Sequence, residues 1–104
     1  MATFSDTQLE IMLVMLKNNI GIITDYMDQE AREQKENELM QYLQSAAIFI
    51  EREGITLNLD NIGDEQLVVM YANWLYDRRK DGVAIMPRML RWNLNNRLFS
   101  EKVV

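Results

Sequence analysis

From Leu67 to Tyr76, nine of ten residues are apolar or aromatic, and only Asn73 interrupts them. On a 3.6-residue helix those nine side chains point in nearly every direction. A helix that is apolar all round is either a membrane span or the centre of a bundle. Ten residues are about half of the ~20 that a span requires. The run also ends in Asp77, Arg78, Arg79 and Lys80. The stretch 65–80 is therefore expected to be the central helix of a small all-α bundle of about four helices, with no membrane involved.

The length of 104 residues fits one domain, spanning 1–104. One proline and four glycines favour long helices over many short strands. The chain has no cysteine, which excludes disulfide and thiolate chemistry, and no histidine, which removes the usual general base and the commonest metal ligand. A secretory leader is not visible, so cytoplasmic synthesis is the expectation. The net charge of −5 is unevenly spread. Residues 1–65 hold four Lys/Arg against thirteen Asp/Glu, a balance of −9, and residues 66–104 hold seven against three, a balance of +4. A monomer can carry such a split without purpose. Alternatively, copies meeting head to tail would set opposite charges face to face.

Ser5 or Asp6 is expected to cap a first helix over Thr7–Asn18, with Gly21 as a left-handed stop. Leu9, Met12, Leu13 and Leu16 form one apolar stripe. Ile11, Val14 and Met15 form a second, which either packs under the next segment or meets a neighbouring subunit. Ile20, Ile22 and Ile23 are expected to anchor the following turn, and Thr24 or Asp25 to cap the next helix. Residues 28–38 contain one apolar residue, Ala31, and read as a solvated helix face or a mobile stretch. The apolar period returns through Leu39, Leu43, Ala46, Ala47 and Ile50 and stops at Glu53-Gly54. A straight helix from Asp25 to Glu53 would be roughly 43 Å long. It therefore either breaks within 28–38 or projects from the body. ITLNL (55–59) alternates apolar and polar but has no second strand to pair with, so an extended linker packed on the helices is expected, with pairing to a neighbour's edge as the other option.

Gly63 or Asp64 is expected to cap the central helix, and Leu67, Met70, Tyr71, Trp74 and Leu75 to be mainly core. Asp81-Gly82 break that helix, and Val83, Ala84, Ile85 and Met86 form an apolar loop. Pro87 opens a final helix running to about Phe99. Leu90, Leu94 and Leu98 line one face of it. Arg88, Arg91 and Asn95 line another, with Trp92 and Phe99 close by. Ser100 to Val104 are expected to fray.

Nothing marks a catalytic centre. No nucleophile sits with a base, no glycine-rich phosphate loop occurs, and no calcium-type Asp-rich loop or other metal cluster is seen. No enzyme activity, cofactor or metal is expected. The basic, aromatic last helix is the most specific local feature. Its residue types serve nucleic-acid contacts and protein interfaces alike, or simply pair with the acidic half of the same chain. The overall acidity favours a protein interface over a duplex. The interface candidates are Arg78, Arg79, Arg88, Arg91, Trp92, Arg97 and Phe99.

GITLNLDNIGD (54–64), LVVMYANWLYDRRKDG (67–82) and MPRMLRWNLNNRLFSEK (86–102) resemble the head–tail connector proteins of tailed bacteriophages and prophages, a family of small all-helical adaptors. The likeness reaches back through FIEREG (49–54) and more loosely MLKNNIGI (15–22). It is strongest over the last fifty residues. The resemblance implies a ring beneath the portal protein at the capsid vertex that extends the DNA channel and offers a docking surface to the next tail-completion protein. It also implies location in the virion after assembly in the host cytoplasm, with DNA passing through the channel without specific binding. On that reading, reversing Arg88 and Arg91 together is expected to spare the helices and weaken assembly. The rivals are a small DNA-binding module using the basic last helix, and an acidic regulator working as a monomer or dimer.

Overall fold

The computed structural model describes residues 4–82 and 85–102. Among them the chain forms four helices and no strand: α1 (Asp6–Ile20), α2 (Gln29–Arg52), α3 (Ile62–Asp81) and α4 (Arg88–Lys102). The small all-α bundle expected from the apolar periods is the fold observed.

α3 is its centre. Leu67, Val68, Val69, Tyr71, Ala72 and Leu75 are buried, and the other four residues of the 67–76 run are half-buried. Met70 and Trp74, expected in the core, are among those four. α3 packs against each of the other three helices. Its partners on α2 pair in reverse order, Tyr42 with Tyr76 and Phe49 with Tyr71, so the two helices are antiparallel. α1 contributes Met12, Leu13 and Leu16, α2 contributes Leu39, Leu43, Ala46, Ala47 and Ile50, and α4 contributes Leu90 and Leu94.

Local signals explain most helix ends. Ser5 caps α1 and exchanges hydrogen bonds with Gln8, a reciprocal capping box, and Gly21 ends the helix at φ 74°. Gly82 ends α3 in the same left-handed conformation. Two caps fall elsewhere than expected. Asp28, not Thr24 or Asp25, caps α2 by accepting from Ala31 N at 2.8 Å. Thr24 is committed to a preceding turn: its carbonyl accepts from Met27 N and Arg32 Nε, and its hydroxyl from Lys17 Nζ. Asn61, not Gly63 or Asp64, caps α3, because the Asp64 carboxylate is drawn to other partners. Pro87 precedes the first residue of α4 and accepts that helix's first hydrogen bond from Arg91 N.

α2 runs unbroken through the charged stretch, so its 24 residues span roughly 36 Å. The polar half is braced on both sides. Lys17 of α1 pairs with Glu36, Arg32 donates to the Thr24 and Asp25 carbonyls, and Lys35 donates to the Tyr76 hydroxyl of α3. The bundle is a slab of 49 × 31 × 18 Å, with a radius of gyration of 14.0 Å.

Residues 55–59 form the expected extended linker, with Ile55, Leu57 and Leu59 buried and Thr56 and Asn58 exposed. One edge of its backbone is held by side chains in place of a second strand. Thr56 N donates to Glu101, the Thr56 carbonyl accepts from Arg97 Nη2 at 2.7 Å, and Asn58 N donates to Asp64 Oδ2 at 2.8 Å. This engages the last turn of α4, so Ser100 to Lys102 are helical rather than frayed. Val83, Ala84, Val103 and Val104 lie outside the described residues. Ile85 is exposed and Met86 half-buried, and the Ile85 carbonyl accepts from Trp74 Nε1. Ile23, expected to anchor the 21–28 turn, is exposed, whereas Ile20 and Ile22 are half-buried.

Leu43 of α2 is fully buried in the core. Leu43→Ala is expected to cost about 2–5 kcal/mol, a large share of the ~5–15 kcal/mol that holds a domain of this size together. Urea unfolding followed by circular dichroism measures this.

Candidate protein interface

Five of the seven candidate residues lie on α4, which presents two unlike faces. Leu90 and Leu94 are buried and Leu98 half-buried against the bundle, and the inward flank carries Arg91 and Arg97. Arg91 grips Glu53 at the end of α2 with two hydrogen bonds of 2.7 and 3.1 Å. Arg97 grips Asp64 with bonds of 2.8 and 3.1 Å while also donating to Thr56 and pairing with Glu101, one turn on. Asp64 is only 4% exposed. Hydrogen bonds donated to the Glu53 and Asp64 carboxylates hold both guanidiniums above their ordinary range. A raised arginine pKa adds stability that is lost only above the ordinary arginine range, so these pairs are insensitive to pH near neutrality. Burial, and then the Glu53 charge, push the nearby Tyr71 phenol up.

The outward face carries Met89, Trp92 and Phe99. These lie at relative positions i, i+3 and i+10, a helical stripe. Met89 is 65% exposed and Trp92 62% exposed, and Phe99 is exposed as well. With Arg88 these first two line an apolar recess of about 490 Å³. Arg88 is exposed and has no hydrogen bond or ion pair among the described residues. It sits at the positive end of a helix whose first turn carries no acidic residue. That placement disfavours a cation by about 0.3–1 kcal/mol, so Arg88 contributes nothing to the fold there.

Arg78 and Arg79 are on the last turn of α3, where a cation suits the helix dipole. Arg78 lies over the Trp74 ring at 5.1 Å, and Arg79 donates to the Tyr42 hydroxyl at 3.4 Å. That hydrogen bond holds the Arg79 guanidinium above its ordinary range. Together with Tyr42, Ser45 and Phe49 they border a shallow groove of about 380 Å³ between α2 and α3. The seven candidates therefore divide. Arg91 and Arg97 are committed to the chain's own acidic half, Arg78 lies over the Trp74 ring, Arg79 donates to the Tyr42 hydroxyl, and Arg88, Trp92 and Phe99 face outward.

Several residues escaped the sequence reading. The Arg97–Glu101 pair has helical spacing and was legible, but Glu53 and Asp64 reach their arginines across 38 and 33 residues with no periodic signal. Glu65 is buried in the first turn of α3, and its Oε2 has no hydrogen-bond partner among the described residues. Met89 adds to the outward apolar surface, and Ile85 is exposed as well. On α1, Leu9, Met12, Leu13 and Leu16 point into the bundle as expected, but the second stripe remains uncovered: Ile11 is 46% and Val14 56% exposed, with Met15 half-buried. A polar cleft of about 520 Å³ opens between the start of α3 and α4, bordered by Asn58, Asn61, Gln66, Asn93 and Arg97. Among the described residues no group of three or more carboxylates is placed to hold a metal, and no helix is long and apolar enough to cross a membrane.

Arg91 is thus a poor probe of assembly, because reversing its charge would also set two carboxylates together at Glu53. Arg88 probes the outward face without touching the fold. Arg97→Ala is expected to destabilise by about 3 kcal/mol by leaving the buried Asp64 unpaired, whereas Arg88→Ala should stay within about 0.5 kcal/mol of the parent. Thermal and urea unfolding of the two variants measure the difference.

No protein-family model, curated protein or solved structure matches the chain.

Proposed function

We propose that this protein is a structural adaptor of a tailed phage or prophage, assembling through protein–protein contacts into a ring between the portal and the tail-completion proteins. It extends the DNA channel and turns over no substrate. The resemblance over residues 54–64, 67–82 and 86–102 supplies the identity of the partners. The observation that carries an assembly role is the outward face of α4, where Met89, Trp92 and Phe99 are exposed beside the unpaired Arg88. Aromatic residues, Met and Arg are the types enriched in interface cores. A helix that has buried its leucines has no need of three more large apolar groups on the opposite side.

The same geometry weighs against the DNA-binding alternative. Affinity for a duplex grows with the number of phosphates neutralised. Arg91 and Arg97 are already neutralised by Glu53 and Asp64, in a chain of net charge −5. The channel reading requires DNA to slide past, which suits a surface that does not hold it.

Light scattering over a concentration range, with and without the portal protein of the same phage or prophage, tests the proposal. A species several times the 12.3 kDa chain mass is expected in at least one condition. A chain that stays monomeric in both would sink the adaptor reading and favour the acidic regulator. A gel shift on duplex DNA is expected to show little or no binding, and a salt-dependent complex would favour the DNA-binding alternative. Trp92→Ser combined with Arg88→Glu should retain the parent's circular dichroism and weaken the assembled species.

A further inference from the structure

Two apolar helix faces are left uncovered at opposite ends of the sequence. On α1, Ile11 and Val14 stand one turn apart beside the exposed Glu10. On α4, Met89 and Trp92 stand one turn apart beside the exposed Arg88 and line the apolar recess. One face offers two branched side chains edged by a carboxylate, and the other a recess walled by a flexible thioether and an indole and edged by a guanidinium. Arg88 has no anionic partner among the described residues, and it occupies a helix start where one is most wanted.

We infer that the Ile11–Val14 face of one copy seats against the Met89–Trp92 recess of a second copy, with Glu10 facing Arg88. This rests on the assembly reading above and names the surfaces that meet. Charge decides between the possible pairings. Joining two α4 faces would set Arg88 against Arg88, and joining two α1 faces would set Glu10 against Glu10. Both like-charge contacts are penalised, and only the unlike pairing is matched in charge as well as in polarity. The contact is therefore heterologous: each copy uses both faces, and successive copies continue head to tail. The wider charge division, −9 over residues 1–65 and +4 over 66–104, favours the same polarity. Four apolar side chains bury much less than the ~1,200–2,000 Å² of a standard stable interface. The contact is weak between free copies and is reinforced when several copies are held on one platform.

The absence of cysteine allows a clean test. Val14→Cys and Met89→Cys are made separately, and both positions are exposed, so the fold is retained. The two variants are mixed under the conditions in which the parent assembles, oxidised with copper–phenanthroline, and run on a non-reducing gel. The mixed disulfide dimer is expected to exceed either like-with-like dimer by about tenfold, the ratio that a preference of about 1.4 kcal/mol produces. Adding Arg88→Glu to the Met89→Cys chain should abolish the excess, and adding Glu10→Arg to the Val14→Cys chain should restore it. If the parent assembles but the mixed dimer shows no excess, this pairing is wrong and the adaptor reading stands. If the parent fails to assemble alone and with the portal, both fall.

Discussion

A helix with no polar side has to be enclosed from every direction, and α3 imposes that requirement on the rest of the chain. Its 67–76 run has no exposed residue. Two amphipathic helices, α1 and α2, cover part of its circumference, α4 covers another part, and the buried residues of the 55–59 linker join the same core. Because each outer helix has to give α3 only one stripe, any apolar residue on its other side is surplus to folding. Ile11 and Val14 on α1, and Met89, Trp92 and Phe99 on α4, are that surplus. What α3 needs for its enclosure thus identifies which apolar side chains the fold does not use.

The second requirement is backbone satisfaction around the linker. A lone extended segment has no sheet partner, and buried amides and carbonyls without partners are costly. Asp64, Arg97 and Glu101 supply them from two helices, and Arg97 links both helices to the linker. This is also why much of the basic half of the chain is not free. The charge division that suggests attraction between copies is partly discharged inside one copy, through Arg91 with Glu53 and Arg97 with Asp64. What remains for partners is narrower than the charge totals imply and is concentrated at Arg88 and on the last turn of α3.

The helices, the central role of 67–76, the linker and the glycine stops at Gly21 and Gly82 were legible because each rests on local periodicity or local conformation. The caps were less legible. Thr24, Asp25 and Asp28 are all competent cap residues, and the choice among them turns on which carbonyls Arg32 and Met27 occupy. Asp64 had the right chemistry for a cap but was taken by Arg97 and Asn58. The unbroken course of α2 depended on Lys17, Arg32 and Lys35 tying down a stretch with almost no apolar residue. For the candidate surface, residue type pointed to α4, but only three-dimensional pairing separated Arg91 and Arg97, which hold the fold, from Arg88, which does not.

In an extended chain the amide and carbonyl of one residue point to the same side. Thr56 and Asn58 share one such side, and all four of their groups are occupied: by Glu101, by Arg97, by Asp64, and by Asn61 N on the Asn58 carbonyl. Bare β-like edges recruit foreign strands and seed aggregates, and proteins blunt them with charged side chains. Here charged groups from the chain's own helices stop up that edge, so the linker offers no open face to a foreign strand.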